Sequence, residues 1–360
     1  MSSNPAALKH IHTLDEILAQ PRCWSECLHD LSTAPQLSRA VAMASPEREW
    51  LLLGCGSSYY LAMAAAATCN WLGLSARAVP ASELLLYPEQ VMMSGKEYLP
   101  VMISRSGLTS EVVRAARVLE NGGIKTITVT CTDGQPLEEI STLALKLLAV
   151  REQSTVMTQS FTSMLLALQY LGALSASNEK FCNELQRLTE QVAEIIELHR
   201  ERLRNFVESN DFADYVCLAQ GPLFGIASEA MLKVTESSCS YAQVFHTMEF
   251  RHGPKSIVGP ETLIAFFLSE TSYASEVEVL EEMKELGASI LVIGNRLESR
   301  ARDAANFAIE MGLEVPEYAR LAAYTIWGQL LGVYTGLKKG LNPDSPRNLS
   351  RVVVLEGNRS

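Results

Sequence analysis

Residues 228–256 read SEAMLKVTESSCSYAQVFHTMEFRHGPKS and gather carboxylates, lysines and histidines into one short stretch. A helix starting near Pro222 would put Glu229, Lys233 and Glu236 on one face, at spacings of four and three residues. On a solvated surface such a ladder of carboxylate, ammonium and carboxylate stabilises a helix by only roughly 0.2–0.5 kcal/mol per pair. Here Ala230, Met231, Leu232 and Val234 lie between the charges, which points to partial burial. A carboxylate partly buried beside a lysine can be tuned as a base for a proton next to a carbonyl. Downstream, His252 stands in a Gly-Pro turn, where an imidazole can be held near sugar oxygens.

Two further segments have the composition of anion-binding loops. In LLLGCGSSY an apolar run ends in glycines that let backbone approach a ligand, and Gly56, Ser57 and Ser58 then open an apolar helix. In VMISRSGLTSE the same layout recurs with Ser104, Arg105, Ser106 and Thr109. Hydroxyls combined with helix-end amides bind a phosphate monoester without a P-loop lysine, and Arg105 could add a fork to its oxygens. Taken singly, such serines and threonines also serve as ordinary helix caps. A dinucleotide fingerprint does not fit, because GCGSSY lacks the third glycine and no acidic residue ends the following strand before Glu83. A GxSxG nucleophile elbow is absent as well.

The elements that must carry these loops alternate. Short β-branched or apolar runs are expected as strands at 49–54, 76–80, 98–104, 124–131 and 143–149, with amphipathic helices between them, the pattern of a parallel sheet with crossover helices. A stretch at 177–209, rich in Glu, Leu and Arg and free of Gly and Pro, reads as one long helix. Beyond it the alternation restarts with DYVCLAQG, TLIAFFLS and ASILVIGN. Landmarks recur at a fixed offset of 165 positions: Gly56 with Gly221 (221 − 56), Ser104 with Ser269, Ser110-Glu111-Val112 with Ser275-Glu276-Val277, and Gly122 with Gly287. The chain is therefore read as α/β with an internal duplication, each copy an open parallel sheet flanked by helices in a flavodoxin-like three-layer sandwich. The expected boundaries are a helical N-terminal arm at 1–45, a first domain at 46–176 that binds phosphate, the connecting helix at 177–209, a second domain at 210–340 and a turn-rich tail at 341–360 that closes the active site. The second copy has Gly221-Pro222-Leu223-Phe224 where the first has its hydroxyls, so the first is expected to bind phosphate and the second to act mainly as scaffold.

Composition sets outer limits. With 360 residues, 48% hydrophobic and 20% charged, the chain can bury two sizeable cores. A net charge of −11 argues against a general affinity for nucleic acid or an anionic membrane. No apolar run is long enough to span a bilayer and no signal-peptide pattern opens the sequence, so a cytoplasmic location is expected. Eight scattered cysteines fit a reducing compartment, and the close pair Cys23 and Cys27 has no neighbouring histidines to complete a metal site.

Together the CGSSY and SRSGLTSE loops, the EQSTVMTQSFTS helix opening, the SEAMLKVTE helix, the EFRHGP turn and the PRNLSRVVVLE tail resemble the SIS family of sugar-phosphate isomerases. Within it the likeness is to the double-SIS isomerase unit of glucosamine-6-phosphate synthase and to the fructosamine-6-phosphate deglycases, over about residues 45–355. The resemblance implies two tandem SIS domains, a sugar 6-phosphate cradled by Ser58, Ser104, Ser106 and Thr109, and Glu236 as the base moving a proton between C1 and C2. It further implies that Lys233 and Glu229 orient that base and contact substrate. Gly56, Ser57, Arg105, Thr158 and Arg351 join the substrate-binding set, and His252 is contributed from the neighbouring subunit of a homodimer to assist ring opening. No cofactor and no metal is implied.

The departures carry as much weight. The chain starts Met1-Ser2-Ser3, without the nucleophilic cysteine that opens the synthase's glutaminase domain, so ammonia from glutamine is not expected by that route. The family's Schiff-base lysine aligns with Arg351, whose guanidinium forms no imine at neutral pH. Met157 and Gln159 replace the serine and lysine of the usual Ser-Thr-Lys helix opening, and Arg105 replaces a glutamine. These changes favour a substrate that brings its own amine. The leading expectation is a deglycase that splits a ketosamine 6-phosphate into hexose 6-phosphate and an amine. The alternative is an amino-sugar phosphate isomerase or deaminase, and the third is a non-catalytic sugar-phosphate sensor.

Overall fold

The computed structural model of the chain describes residues 10–45 and 47–355, so positions 1–9 of the expected arm, residue 46 at the expected domain boundary and residues 356–360 of the expected tail lie outside the described residues. Three helices open it: α1 (His12–Leu18), α2 (Gln20–Thr33) and α3 (Pro35–Met43). Proline falls within the first two positions of α2 and α3, where its missing N–H would have had no helical partner. Trp24, Leu28 and Leu31 turn the apolar side of α2 into the main core.

The first sheet consists of β1 (Glu49–Gly54), β2 (Ala76–Pro80), β3 (Tyr98–Ile103), β4 (Ile127–Thr130) and β5 (Leu143–Lys146), all parallel, in the order β2-β1-β3-β4-β5. Its crossovers use α4 (Ser57–Trp71), α5 (Ala81–Leu86), α6 (Pro88–Val91), α7 (Ser110–Asn121) and α8 (Pro136–Ile140). Two helices then lead to the second copy, α9 (Gln159–Ser175) and the long α10 (Glu179–Ser209). The second sheet is β6 (Asp214–Ala219), β7 (Tyr241–His246), β8 (Thr262–Phe267), β9 (Ser289–Gly294) and β10 (Phe307–Glu310), again all parallel, with α11 (Phe224–Ser238), α12 (Tyr273–Glu285), α13 (Ser299–Ala304) and α14 (Leu321–Lys338) around it. Its order, β7-β6-β8-β9-β10, repeats that of the first sheet strand for strand. β1, β3, β6 and β8 are buried along most or all of their length, as parallel strands covered on both faces must be.

The duplication is visible in the backbone. Gly56 and Gly221, each two residues beyond the first strand of its copy, have φ of 55° and 54°, a conformation that suits glycine. The fourth matched landmark is corrected by one residue. Gly287 (φ 95°) is the left-handed residue after α12, and its counterpart after α7 is Gly123 (φ 71°), whereas Gly122 has φ −80° and still belongs to the helix end. β7 and β10 were not among the expected strands. β7 is a half-exposed edge strand without clean alternation, and β10 has only four residues. The expected strands at 98–104, 124–131 and 143–149 end or begin earlier or later than read, because their flanking residues turn into loops.

α11 and α14 meet backbone to backbone. A Cβ at Gly328 would lie 2.3 Å from that of Ala230, one at Gly332 would lie 2.5 Å from the Lys233 carbonyl oxygen, and one at Gly336 would lie 2.2 Å from that of Ser237. Gly225 does the same toward α4, where a Cβ would come 2.6 Å from the Tyr60 carbonyl oxygen. Glycine at these positions lets α11 sit against both neighbours, which fixes where its polar face points. One hydrophobic core, including Leu52, Leu61, Leu165, Ile226 and Trp327, runs through both copies.

Candidate active site

A cavity of about 240 Å³ opens at the carboxyl ends of the first sheet's strands, where ligands collect in open parallel sheets. It is walled by the first turn of α4, the loop 105–109, residues 155–157, α11 and the tail segment 350–353. A larger cavity of about 410 Å³ lies under the arm between α1, α2 and residues 149–159; Cys23 and Gln159 line it, but none of the expected catalytic or phosphate-binding residues does.

Gly56 caps α4, and the two serines after it diverge. Ser58 faces the cavity beside Met157, with Oγ 4.0 Å from the Met157 sulfur. Ser57 also borders the cavity, but its hydroxyl donates to Glu229 Oε1 at 3.1 Å. In the second loop Ser106 and Thr109 line the cavity, and Ser104 lies beneath them, 98% buried, with Oγ accepting the Gly107 N–H at 3.1 Å and standing 3.3 Å from Thr109 Oγ1. The loop is thus braced from below while two hydroxyls stay on the cavity side.

The α11 ladder forms as spaced. Lys233 Nζ lies 3.3 Å from Glu229 Oε1, 3.4 Å from Ser57 Oγ, and donates to Glu236 Oε2. Glu229 and Lys233 are fully or almost fully buried, while Glu236 lines the cavity. Burial pushes the Glu229 carboxyl up to about 7, against the pull of Lys233. Burial alone would lower the Lys233 ammonium, but Glu229 and Glu236 outweigh it and hold the lysine above its ordinary value. A fixed positive charge therefore stands behind the cavity-facing carboxylate, the arrangement suited to taking and returning a proton at a carbon beside a carbonyl.

The other expected residues divide: Arg105 and Arg351 border the cavity, whereas Thr158 and His252 do not. Arg105 is 92% buried and both its terminal nitrogens are engaged: Nη1 with Glu152 (3.0 Å) and the Val156 carbonyl (3.2 Å), Nη2 with the carbonyls of Thr155 (2.9 Å) and Arg351 (2.7 Å). Arg351 itself borders the cavity and donates to the Glu152 carbonyl. Thr158 is buried at the N-cap of α9, bonded to Glu152 (3.0 Å) rather than to the cavity. His252 is exposed in a turn after β7 and does not line the cavity.

Three carboxylates that organise the site escaped the sequence reading. Glu152 receives the Thr158 and Ser160 amides at the start of α9 as well as Arg105. Its signal was there, an acidic residue just ahead of a Ser/Thr-rich helix opening. Glu16 of the arm accepts the Ser154 amide at 3.1 Å, and Asp344 of the tail accepts the His12 and Thr13 amides at 3.0 and 2.7 Å. These two act on partners more than a hundred positions away and leave no local pattern.

No helix among the described residues is long and apolar enough to cross a membrane. Residues 44–174 match the SIS domain family. The glutamine–fructose-6-phosphate aminotransferases (isomerizing) of Pyrobaculum aerophilum and Thermococcus kodakarensis are each 27% identical over 95% of the chain, and the chain spans 57% and 58% of their lengths. Among solved structures, tagatose-6-phosphate ketose/aldose isomerase from Escherichia coli superposes with a TM-score of 0.84 at 21% identity, covering 99% of this chain and 100% of that one. The C-terminal domain of the Francisella tularensis glucosamine-fructose-6-phosphate aminotransferase gives 0.83 at 22% identity over 95% of this chain and 100% of that one. Glucosamine-6-phosphate deaminase from Thermotoga maritima gives 0.77 at 27% identity over 96% of this chain and 100% of that one. With the SIS domain match over residues 44–174 and a second five-stranded parallel sheet that repeats the strand order of the first, the fold matches that of two SIS domains in tandem.

Proposed function

We propose that the chain is an amino-sugar phosphate isomerase that releases ammonia, converting an open-chain glucosamine 6-phosphate to fructose 6-phosphate. The observation that carries this reading is that Glu236 shares one cavity of about 240 Å³ with Ser58, Ser106 and Thr109. The phosphate would sit on the hydroxyl loops, and Glu236 would remove the C2 proton next to the C1 aldehyde. Returning it to C1 leaves an imine at C2, which water hydrolyses to the ketone and ammonia. The amine arrives with the substrate, so no lysine is needed to form an imine, in keeping with arginine at position 351. The cavity is smaller than the roughly 300–1,000 Å³ of sites that take drug-sized ligands, which suits a bare hexose phosphate. The deaminase of Thermotoga maritima, similar along nearly the whole of both chains, supports the same class.

A second reading, the deglycase, draws support from Arg351, whose place at the cavity rim would let a guanidinium meet the carboxylate of an amino-acid adduct. The proton would then leave C1 of the ketosamine, and hydrolysis of the C1 imine would release glucose 6-phosphate. In either case His252 would have to come from a second copy of the chain, because its own copy holds it outside the cavity.

Phosphorus and proton NMR with glucosamine 6-phosphate, fructose 6-phosphate and a panel of 6-phosphorylated sugar–amino-acid adducts tests the choice. Turnover of glucosamine 6-phosphate that disappears in Glu236→Gln supports the deaminase. Release of glucose 6-phosphate from an adduct alone moves the assignment to a deglycase, and silence with retained binding removes Glu236 as the base.

A further inference from the structure

Position 105 sits in the middle of the anion-binding loop, where an arginine is the obvious partner for phosphate. The hydrogen bonds say otherwise. Each terminal nitrogen of the guanidinium has two N–H groups, and the four partners found are the Glu152 carboxylate and the carbonyls of Val156, Thr155 and Arg351. Three of these lie on the segment that opens α9, and the fourth lies on the C-terminal tail. Glu152 is itself held by the amides and hydroxyls of Thr158 and Ser160, so its carboxylate cannot swing away to release Arg105 without uncapping α9.

The tail runs from there to the start of α7, where the Ser110 N–H donates to the Val353 carbonyl at 3.2 Å and the Leu355 N–H donates to Ser110 Oγ at 2.9 Å. Between these bonds Ser350, Arg351, Val352 and Val353 form one wall of the cavity, although the side chains of Val353 and Val354 are more than half exposed. Little apolar burial holds the segment down, so the polar contacts must do it. Arg105 supplies a bond to the tail from within the loop that carries Ser106 and Thr109.

We propose that Arg105 is a positioning residue: it fastens residues 350–355 across the cavity as a wall and does not itself bind the substrate's phosphate. The inference rests on the proposed reading of this cavity as the phosphosugar site, but its first readout needs no turnover. A phosphosugar, which touches both the loop and the tail wall, feels the loss of Arg105; inorganic phosphate, which needs only the loop, does not.

The test uses the full-length chain with Arg105→Gln, and with Arg105→Lys as the variant that keeps a charge against Glu152 and so protects folding. Amide hydrogen exchange at Ser110 and Leu355 should speed at least tenfold in both variants. The dissociation constant for inorganic phosphate should change less than threefold, while KM for glucosamine 6-phosphate rises about tenfold. A loss of inorganic phosphate binding of tenfold or more with unchanged exchange at Ser110 and Leu355 would overturn the proposal and make Arg105 a direct anion ligand. Accelerated exchange and intact phosphate binding, in a chain that turns over none of the phosphosugars, would keep Arg105 as the fastener while removing the functional reading.

Discussion

One ammonium, that of Lys233, bridges a carboxylate sealed from solvent, Glu229 at 3.3 Å, and a carboxylate open to the cavity, Glu236. The two acids therefore differ in environment while sharing a counter-charge, and their replacement should separate chemically. Glu236→Gln is expected to lower kcat by about 10²–10⁴, the usual scale for removing a general base, with KM little changed. Solvent deuterium incorporation into unreacted substrate, followed by proton NMR, checks it; exchange that survives in the variant would assign proton removal to another group.

Glu229→Gln should show in the pH dependence of stability. The folded carboxyl is held up at about 7 against an ordinary 4.5, so the native state binds the extra proton across that interval. The stability associated with this group is fully present below about pH 4.5 and is lost as pH rises to about 7, beyond which it no longer changes. A shift of this size corresponds to a swing on the order of 3 kcal/mol. Urea titrations of both proteins from pH 4.5 to 8 should find the native chain losing stability relative to the glutamine variant only within that window; parallel curves would contradict the buried carboxyl's role.

Ser106→Ala and Thr109→Val remove hydroxyls from the cavity side of the loop. A hydrogen bond to a charged group contributes about 1.5–3 kcal/mol, so each change should raise KM for a sugar phosphate about 10–100-fold. Inorganic phosphate affinity should fall in parallel, since both ligands would use the same loop. Competition assays with phosphate give the comparison, and a KM effect without a phosphate effect would place the anion elsewhere.

Gly332→Ala asks what the close contact of α11 with α14 contributes. The added methyl would meet the Lys233 carbonyl oxygen at 2.5 Å, forcing the helices apart and moving the Lys233 and Glu236 face. Overpacking of this kind destabilises by about 1–3 kcal/mol. The denaturation midpoint and kcat should both drop, whereas an unchanged kcat would mean that α11 can shift without disturbing its acid–base face.

Asp344→Ala removes a cap made from far along the sequence. Its carboxylate accepts the His12 and Thr13 amides and the Thr13 hydroxyl, and the expected loss is about 0.5–2 kcal/mol, typical of an N-cap. Hydrogen exchange over residues 12–18 should accelerate before the rest of the protein responds.

Legibility in the sequence followed the range of the interactions involved. The strands at 49–54 and 76–80 were readable to the residue because apolar runs bounded by glycine or proline set them locally. Glu229, Lys233 and Glu236 were readable because helical spacing alone puts them on one face. The destination of the Arg105 guanidinium was not, since two of its partners are backbone carbonyls about fifty positions away and one lies on the tail. A carbonyl carries no residue signature, so a side chain that binds one leaves no motif behind. Glycines 328, 332 and 336 form a visible spacing, but that their partner would be the helix bearing the acid–base face depends on how the two copies pack.

The contact between Asp344 and the first turn of α1 has a bearing on how the protein comes into being. On the ribosome the arm emerges early and can only wait, its first helix uncapped, until the region around residue 344 follows. The wall at 350–353 is made later still, after both sheets have had time to form. Both the cap of α1 and one wall of the cavity therefore wait on the last described stretch of the chain, so the arm and the cavity are completed together late in synthesis.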